Sequence, residues 1–89
     1  SMQVIFGAET ADSVPPEDLE IIEKLLSQDP RPHYQEDPER VYGMAYKDWA
    51  IKFRAEGLSI FVEKIEKYLS YSLKHNPLVD FTKSLKKLP

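Results

Sequence analysis

Asp29-Pro30-Arg31-Pro32-His33-Tyr34, followed by Asp37-Pro38-Glu39-Arg40-Val41-Tyr42-Gly43-Met44, concentrates the groups of this chain that could do recognition chemistry: paired charges, phenols and prolines in one short run. Pro30, Pro32 and Pro38 fix their own φ and bias the residue before them away from the α region, so Asp29, Arg31 and Asp37 are expected to be extended. A stiff loop of this kind can present a guanidinium and a phenol at a set angle with little ordering entropy left to lose. That suits a phosphate, a carboxylate or a base. Arg31 and Tyr34 are the candidate contacts, with Asp29 orienting Arg31. From the residues alone the more ordinary reading is a structural clamp, in which Asp29 and Arg31 make a local ion pair, Tyr34 packs on the core and the prolines stop a helix.

Other chemistry is thinly represented. Gly7, Gly43 and Gly57 are scattered, so no glycine-rich nucleotide-binding loop can be drawn. His33 and His75 have no ligand spacing to a carboxylate pair, and there is no cysteine, which leaves neither disulfides nor thiolate metal sites. None of the serines stands in a nucleophile elbow. No catalytic residue, cofactor site or metal site is therefore assigned within these 89 residues.

The two proline-containing runs resemble the D-P-R-P-x-Y and D-P-E-R-x-Y-G-M pattern of the C-terminal domain of the TsaA-like (TrmO, YaeB) tRNA methyltransferases, and the likeness is dense from Ile22 to Ile65. That resemblance implies a full-length enzyme that methylates the exocyclic nitrogen of threonylcarbamoyl-adenosine beside the anticodon. It also implies that S-adenosylmethionine is bound by an N-terminal β-barrel-like domain absent from this chain. The domain would then be accessory, helping to position the tRNA anticodon loop or completing the active-site rim, with the N-terminal catalytic domain as its partner. By the same resemblance Arg31 would meet a phosphate or the threonyl carboxylate, and Tyr34 would stack or hydrogen-bond. The alternative is a protein-interaction or dimerisation module, possible as a homodimer, without direct substrate contact.

Charge qualifies the tRNA reading. The net charge is −3, which argues against a self-sufficient nucleic-acid binder. It is distributed as a gradient: residues 1–40 carry 3 Lys/Arg against 10 Asp/Glu, residues 41–63 carry 3 against 3, and residues 64–89 carry 6 against 2. The basic end, with Lys83, Lys86 and Lys87, is the candidate tRNA contact, and binding by the fragment alone should be weak. An ordinary solvated surface with a Lys-rich tail is the other reading. No apolar run is long enough to span a bilayer and nothing resembles a signal peptide, which leads to a soluble, intracellular protein, cytoplasmic sooner than nuclear.

The elements that must position these residues form one small domain. Ser1-Met2 reads as a cloning scar, and residues 1–12 as that scar and a linker with a possible short strand at Gln3–Phe6; residues 13–89 make the domain. Ser13 offers an N-cap, Pro15 and Pro16 suit a first turn, and Glu17 and Asp18 complement the helix dipole, so a helix is expected over Ser13–Gln28 with Leu19, Ile22, Leu25 and Leu26 on its apolar side. The period then becomes two. Strands are expected over Val41–Tyr46, through Trp49, Ile51 and Phe53 with Lys52 and Arg54 on the opposite face, and from Leu58 to about Lys67, joined by turns at Lys47-Asp48 and Glu56-Gly57, although Glu63–Leu73 also fits a short helix through Ile65, Leu69 and Leu73. Trp49, Phe53 and Tyr42 are assigned to the core. After Asn76-Pro77, Leu78, Phe81, Leu85 and Leu88 repeat at helical spacing above Lys83, Lys86 and Lys87. The expected fold is α+β: a small three-stranded antiparallel sheet covered by one helix, plus a C-terminal helix.

Overall fold

Alternating apolar residues carry three strands through the middle of the chain, and a fourth comes from its beginning. The computed structural model describes residues 1–32 and 36–75 and has β1 (Gln3–Phe6), α1 (Pro16–Ser27), β2 (Tyr42–Tyr46), β3 (Trp49–Glu56), β4 (Ser59–Lys67) and α2 (Tyr68–His75). The C-terminal helix expected after Asn76, with Lys83, Lys86 and Lys87, lies outside the described residues, as does Tyr34.

The sheet order is β1-β4-β3-β2, with β2–β3 and β3–β4 antiparallel and β1 parallel to β4. This overturns the three-stranded antiparallel sheet: the described residues form an α+β fold with a four-stranded mixed sheet and two helices. The physical reason is that Gln3–Phe6 finds its partner within the chain. Val4 and Phe6 stand opposite Ile60 and Val62 and pack on the core from the free edge of β4. The ladder is extended by Gln3 N–H to the Leu58 carbonyl at 2.8 Å and Gly7 N–H to the Val62 carbonyl at 2.9 Å. A Cβ at Gly7 would lie 3.1 Å from that carbonyl, so glycine permits the close exit of the chain from β4.

One face of the sheet is the core face. Trp49, Ile51, Phe53 and Ala55 of β3 meet Ile60, Val62 and Ile65 of β4, and Ile22 and Leu26 of α1 close over them. Strict alternation cannot place Val62 and Ile65 together. The register shifts between Lys52 and Phe53, from Lys52 opposite Lys64 to Phe53 opposite Val62, leaving Glu63 as the extra residue of a bulge that flips the parity of β4. Leu58, expected to begin the apolar alternation, sits instead in the turn and is 77% exposed. Gly57 in that turn has φ +58°, the left-handed conformation the hairpin needs.

Helix α1 begins later than expected and without Ser13. Pro15 is its N-cap residue, with no side-chain cap, because residues 7–14 are already turning on their own backbone bonds; Val14 N–H donates to the Ala11 carbonyl. Asp18 and Leu19 N–H donate to the Pro15 carbonyl. At the other end Asp29 has φ +54°, not the extended conformation expected before Pro30. It ends the helix in the left-handed region, which aspartate tolerates, and its N–H satisfies the Leu26 carbonyl at 3.0 Å.

Candidate functional site

The proline-rich segment leaves α1 through Asp29 and enters β2 at Tyr42, and local and cross-sheet contacts brace its described residues. Asp29 and Arg31, two residues apart, form a bidentate pair: Arg31 Nε donates to Asp29 Oδ1 at 2.7 Å and Nη2 to Oδ2 at 2.7 Å. The Arg31 side chain is 2% exposed and that of Asp29 29%. The left-handed turn at Asp29 aims its carboxylate back along the chain, where the Arg31 N–H also reaches it at 3.4 Å. The hydrogen bonds from Arg31 hold the Asp29 carboxyl below its ordinary range, against the opposing effect of burial. Reciprocally, Asp29 keeps the guanidinium more firmly charged than usual, burial again opposing. The Tyr42 hydroxyl adds to that effect at a geometry short of a hydrogen bond, since it is buried with no bonded partner among the described residues.

Further along, Asp37 Oδ1 accepts the Glu39 N–H at 3.1 Å, a local turn that starts the second half of the segment. Arg54 of β3 donates through Nη1 to the Pro38 carbonyl at 3.0 Å and through Nε to Glu63 Oε2 at 2.8 Å, fastening the loop to the sheet. Arg40 lies over the Tyr42 ring at 5.1 Å, and that ring stacks on Phe53 at 5.5 Å and 21°. Tyr42, Phe53 and Trp49 are core residues, as their alternation predicts.

Sequence reasoning missed a polar cluster at the other end of the sheet. Asp18 is buried on α1, where its carboxylate accepts Lys47 Nζ at 3.0 Å and Trp49 Nε1 at 3.1 Å, and these bonds depress its pKa. Lys67 lies 4.3 Å from the Trp49 ring centre and bonds Asp48 at 2.9 Å. The sequence shows Asp18 only as an acid in a first helical turn; its donors stand 29 and 31 residues away, which periodicity cannot reveal. The cluster pins α1 to the β2–β3 hairpin.

Of the sequence-derived candidates, Asp29 and Arg31 are brought together, while Tyr34, Lys83, Lys86 and Lys87 lie outside the described residues. Lys52 and Arg54 do share the sheet face away from α1, although Arg54 is engaged by Glu63 and Pro38. The described residues hold no group of three or more metal-ligating side chains, and no helix among them is long and apolar enough to cross a membrane.

Fold and loop together define a small α+β domain that braces a proline-rich segment against its sheet. The chain belongs to the family described as the TrmO C-terminal domain, which it matches over residues 1–68. It is 45% identical over 56 residues to a protein of Eikenella corrodens named tRNA (adenine(37)-N6)-methyltransferase, an alignment covering 63% of this chain and 32% of that protein. The chain thus spans about a third of the length of the curated relative it matches. No solved structure matches.

Proposed function

We propose that this chain is the accessory C-terminal domain of an S-adenosylmethionine-dependent methyltransferase acting on N6-threonylcarbamoyl-adenosine beside the tRNA anticodon. It helps to position tRNA or completes the active-site rim, and the chemistry belongs to an N-terminal domain of the same protein, in an intracellular setting. The observation that carries this reading is the family match over residues 1–68, supported by the methyltransferase name of the relative. The described residues do not fit a methyl-donor site: Gly7 stands alone in the β1–α1 connection, Gly43 lies within β2 and Gly57 in the β3–β4 turn, so no glycine-rich loop cradles a nucleoside.

Within this reading the Asp29–Arg31 pair acts by holding the loop. A guanidinium whose donors already meet a carboxylate and whose side chain is 2% exposed has little left to offer a phosphate or a threonyl carboxylate directly. Its effect is to fix how the chain leaves α1 through Asp29, Pro30 and Arg31, and Tyr34 is the proposed stacking residue of the same motif. A second reading, a protein-interaction or dimerisation module, has one observation on its side: Leu69 and Leu73, one helical turn apart on α2, are 71% and 62% exposed.

The test is binding by the 89-residue chain. Titration with tRNA should show weak binding that falls steeply with salt, and calorimetry with S-adenosylmethionine should show none. Stoichiometric donor binding would overturn the accessory assignment. A salt-independent dimer by sedimentation with no tRNA binding would favour the interaction module.

A further inference from the structure

The face of the sheet away from α1 is not flat. Helix α2 follows β4 directly, with the Tyr68 N–H donating to the Asp48 carbonyl, and crosses that face. Between them lies a cavity of about 240 Å³, open to solvent. Gly43, Ala45 and Ala50 line its sheet side, and Tyr68, Tyr71 and Lys52 also line it. The two phenol rings stand 6.2 Å apart, tilted by 37°, and Lys52 Nζ lies 5.2 Å from the Tyr71 ring centre. The volume is below that of a drug-sized site, which runs to about 300 Å³ or more, and suits one planar ring system.

The cavity's surroundings carry the charge that such a ring would need if it came with a phosphate. Lys52 and Lys64 are cross-strand partners on this face. Lys64 and Lys74 both pair with Glu66, each at 3.7 Å, so this one carboxylate is shared by two ammonium groups, with Lys52 beside Lys64 on the neighbouring strand. This contrasts with residues 1–40, which are strongly acidic. The groove is therefore aromatic, floored by small residues and edged in positive charge. Apolar side chains of a protein partner would need the first two properties and not the third; an unpaired nucleotide needs all three.

We propose that this groove binds one unpaired nucleobase of single-stranded RNA, stacked against Tyr68 and Tyr71 with its phosphate at Lys52. The inference rests on the tRNA reading above and adds to it a site built jointly by β2, β3 and α2, separate from the proline-rich loop. Gly43 belongs to the motif run, whereas Tyr71 lies beyond the family match, which ends at Tyr68. The site is thus a feature of this chain and need not be common to the family.

Gly43 supplies the discriminating variant. A Cβ there would meet only the Ile51 carbonyl oxygen, at 3.9 Å, and its backbone is not in the left-handed region. Gly43→Val should therefore keep the strand while its side chain occupies the groove. The probe is a uridine hexamer carrying one 2-aminopurine, compared with the same hexamer abasic at that position. The parent chain should quench the 2-aminopurine, and Gly43→Val or Tyr71→Ala should bind about tenfold more weakly or worse, with Tyr71→Phe near the parent and the melting temperature of Gly43→Val preserved. Lys52→Ala should reduce the slope of log affinity against log salt by about 0.7. Equal binding of the abasic hexamer, or unchanged binding by a folded Gly43→Val, would overturn the groove while leaving salt-dependent tRNA binding, and the accessory reading, in place. Failure of both the hexamer and tRNA to bind at any salt would sink the two together. A dimer abolished by Gly43→Val would show a second protein copy in the groove and refute the nucleobase.

Discussion

Replacing Arg31 with alanine separates a clamp from a substrate contact. The guanidinium makes two charge-assisted hydrogen bonds of 2.7 Å to Asp29 and is 2% exposed. Each such bond is worth about 1.5–3 kcal/mol net. Two features lower the sum: the Asp29 side chain is 29% exposed and can recover water, and partners two residues apart also meet in the unfolded chain. The covered aliphatic stem restores part of it through packing. Arg31→Ala should therefore destabilise the domain by about 2 kcal/mol, a fall in melting temperature of about 8–16 °C for a chain of this size. Asp29→Asn combined with Arg31→Ala should cost clearly less than the sum of the single changes, because both remove one interaction. The pH dependence has a defined sign. The folded Asp29 carboxyl titrates below its unfolded value of 3.8, so the pair's contribution is fully present above that value and is lost as pH falls through the lower folded one. The stability gap between parent and variant should be constant at neutral pH and should shrink only in strong acid. Thermal unfolding by circular dichroism, run beside an assay of the proposed methyl transfer in the full-length protein, is the test. A variant melting within a degree or two of the parent, while methyl transfer per folded enzyme falls tenfold or more, would refute the clamp and restore Arg31 as a substrate contact.

Truncating the helix side of the core by Leu26→Ala, at a fully buried position, should cost about 2–5 kcal/mol in denaturant unfolding. Gly57→Ala, at φ +58° with open space around it, should cost about 1–2 kcal/mol from backbone strain alone, and Gly57→Asn measurably less. Removing Lys83, Lys86 and Lys87 together should flatten the salt dependence of tRNA binding by the 89-residue chain; an unchanged slope would show that the basic end makes no phosphate contact.

What could be seen in the sequence was whatever local periodicity or turn chemistry encodes. Ile22 and Leu26 announced the buried side of α1, the Lys47-Asp48 turn placed the first hairpin, and the second turns at Gly57-Leu58, one residue beyond the expected Glu56-Gly57. Strand β1 was visible as an apolar run but its partnership was not, since four residues do not specify a parallel partner more than fifty positions away. A signal for the bulge was present in the parity break between Val62 and Ile65, which no regular strand can bury on one side. Within the candidate site, the pairing of Asp29 with Arg31 was legible from their proximity, whereas its burial was not. The left-handed Asp29 went unseen because the restriction imposed by Pro30 suggested an extended residue, when the helix end needed a left-handed one. Asp18 and its donors were hidden by sequence distance, as were the Arg54 bond to Pro38 and the groove beneath α2.

The proposed accessory role is tested most directly by removing this domain from the full-length protein, with S-adenosylmethionine affinity measured beside kcat/KM for tRNA methylation. The shortened enzyme should bind the donor as the parent does and lose about tenfold or more in kcat/KM for tRNA, chiefly through a higher KM. Unchanged kcat/KM for tRNA, or a well-folded remainder that no longer binds the donor, would contradict a domain that positions tRNA while the chemistry occurs elsewhere.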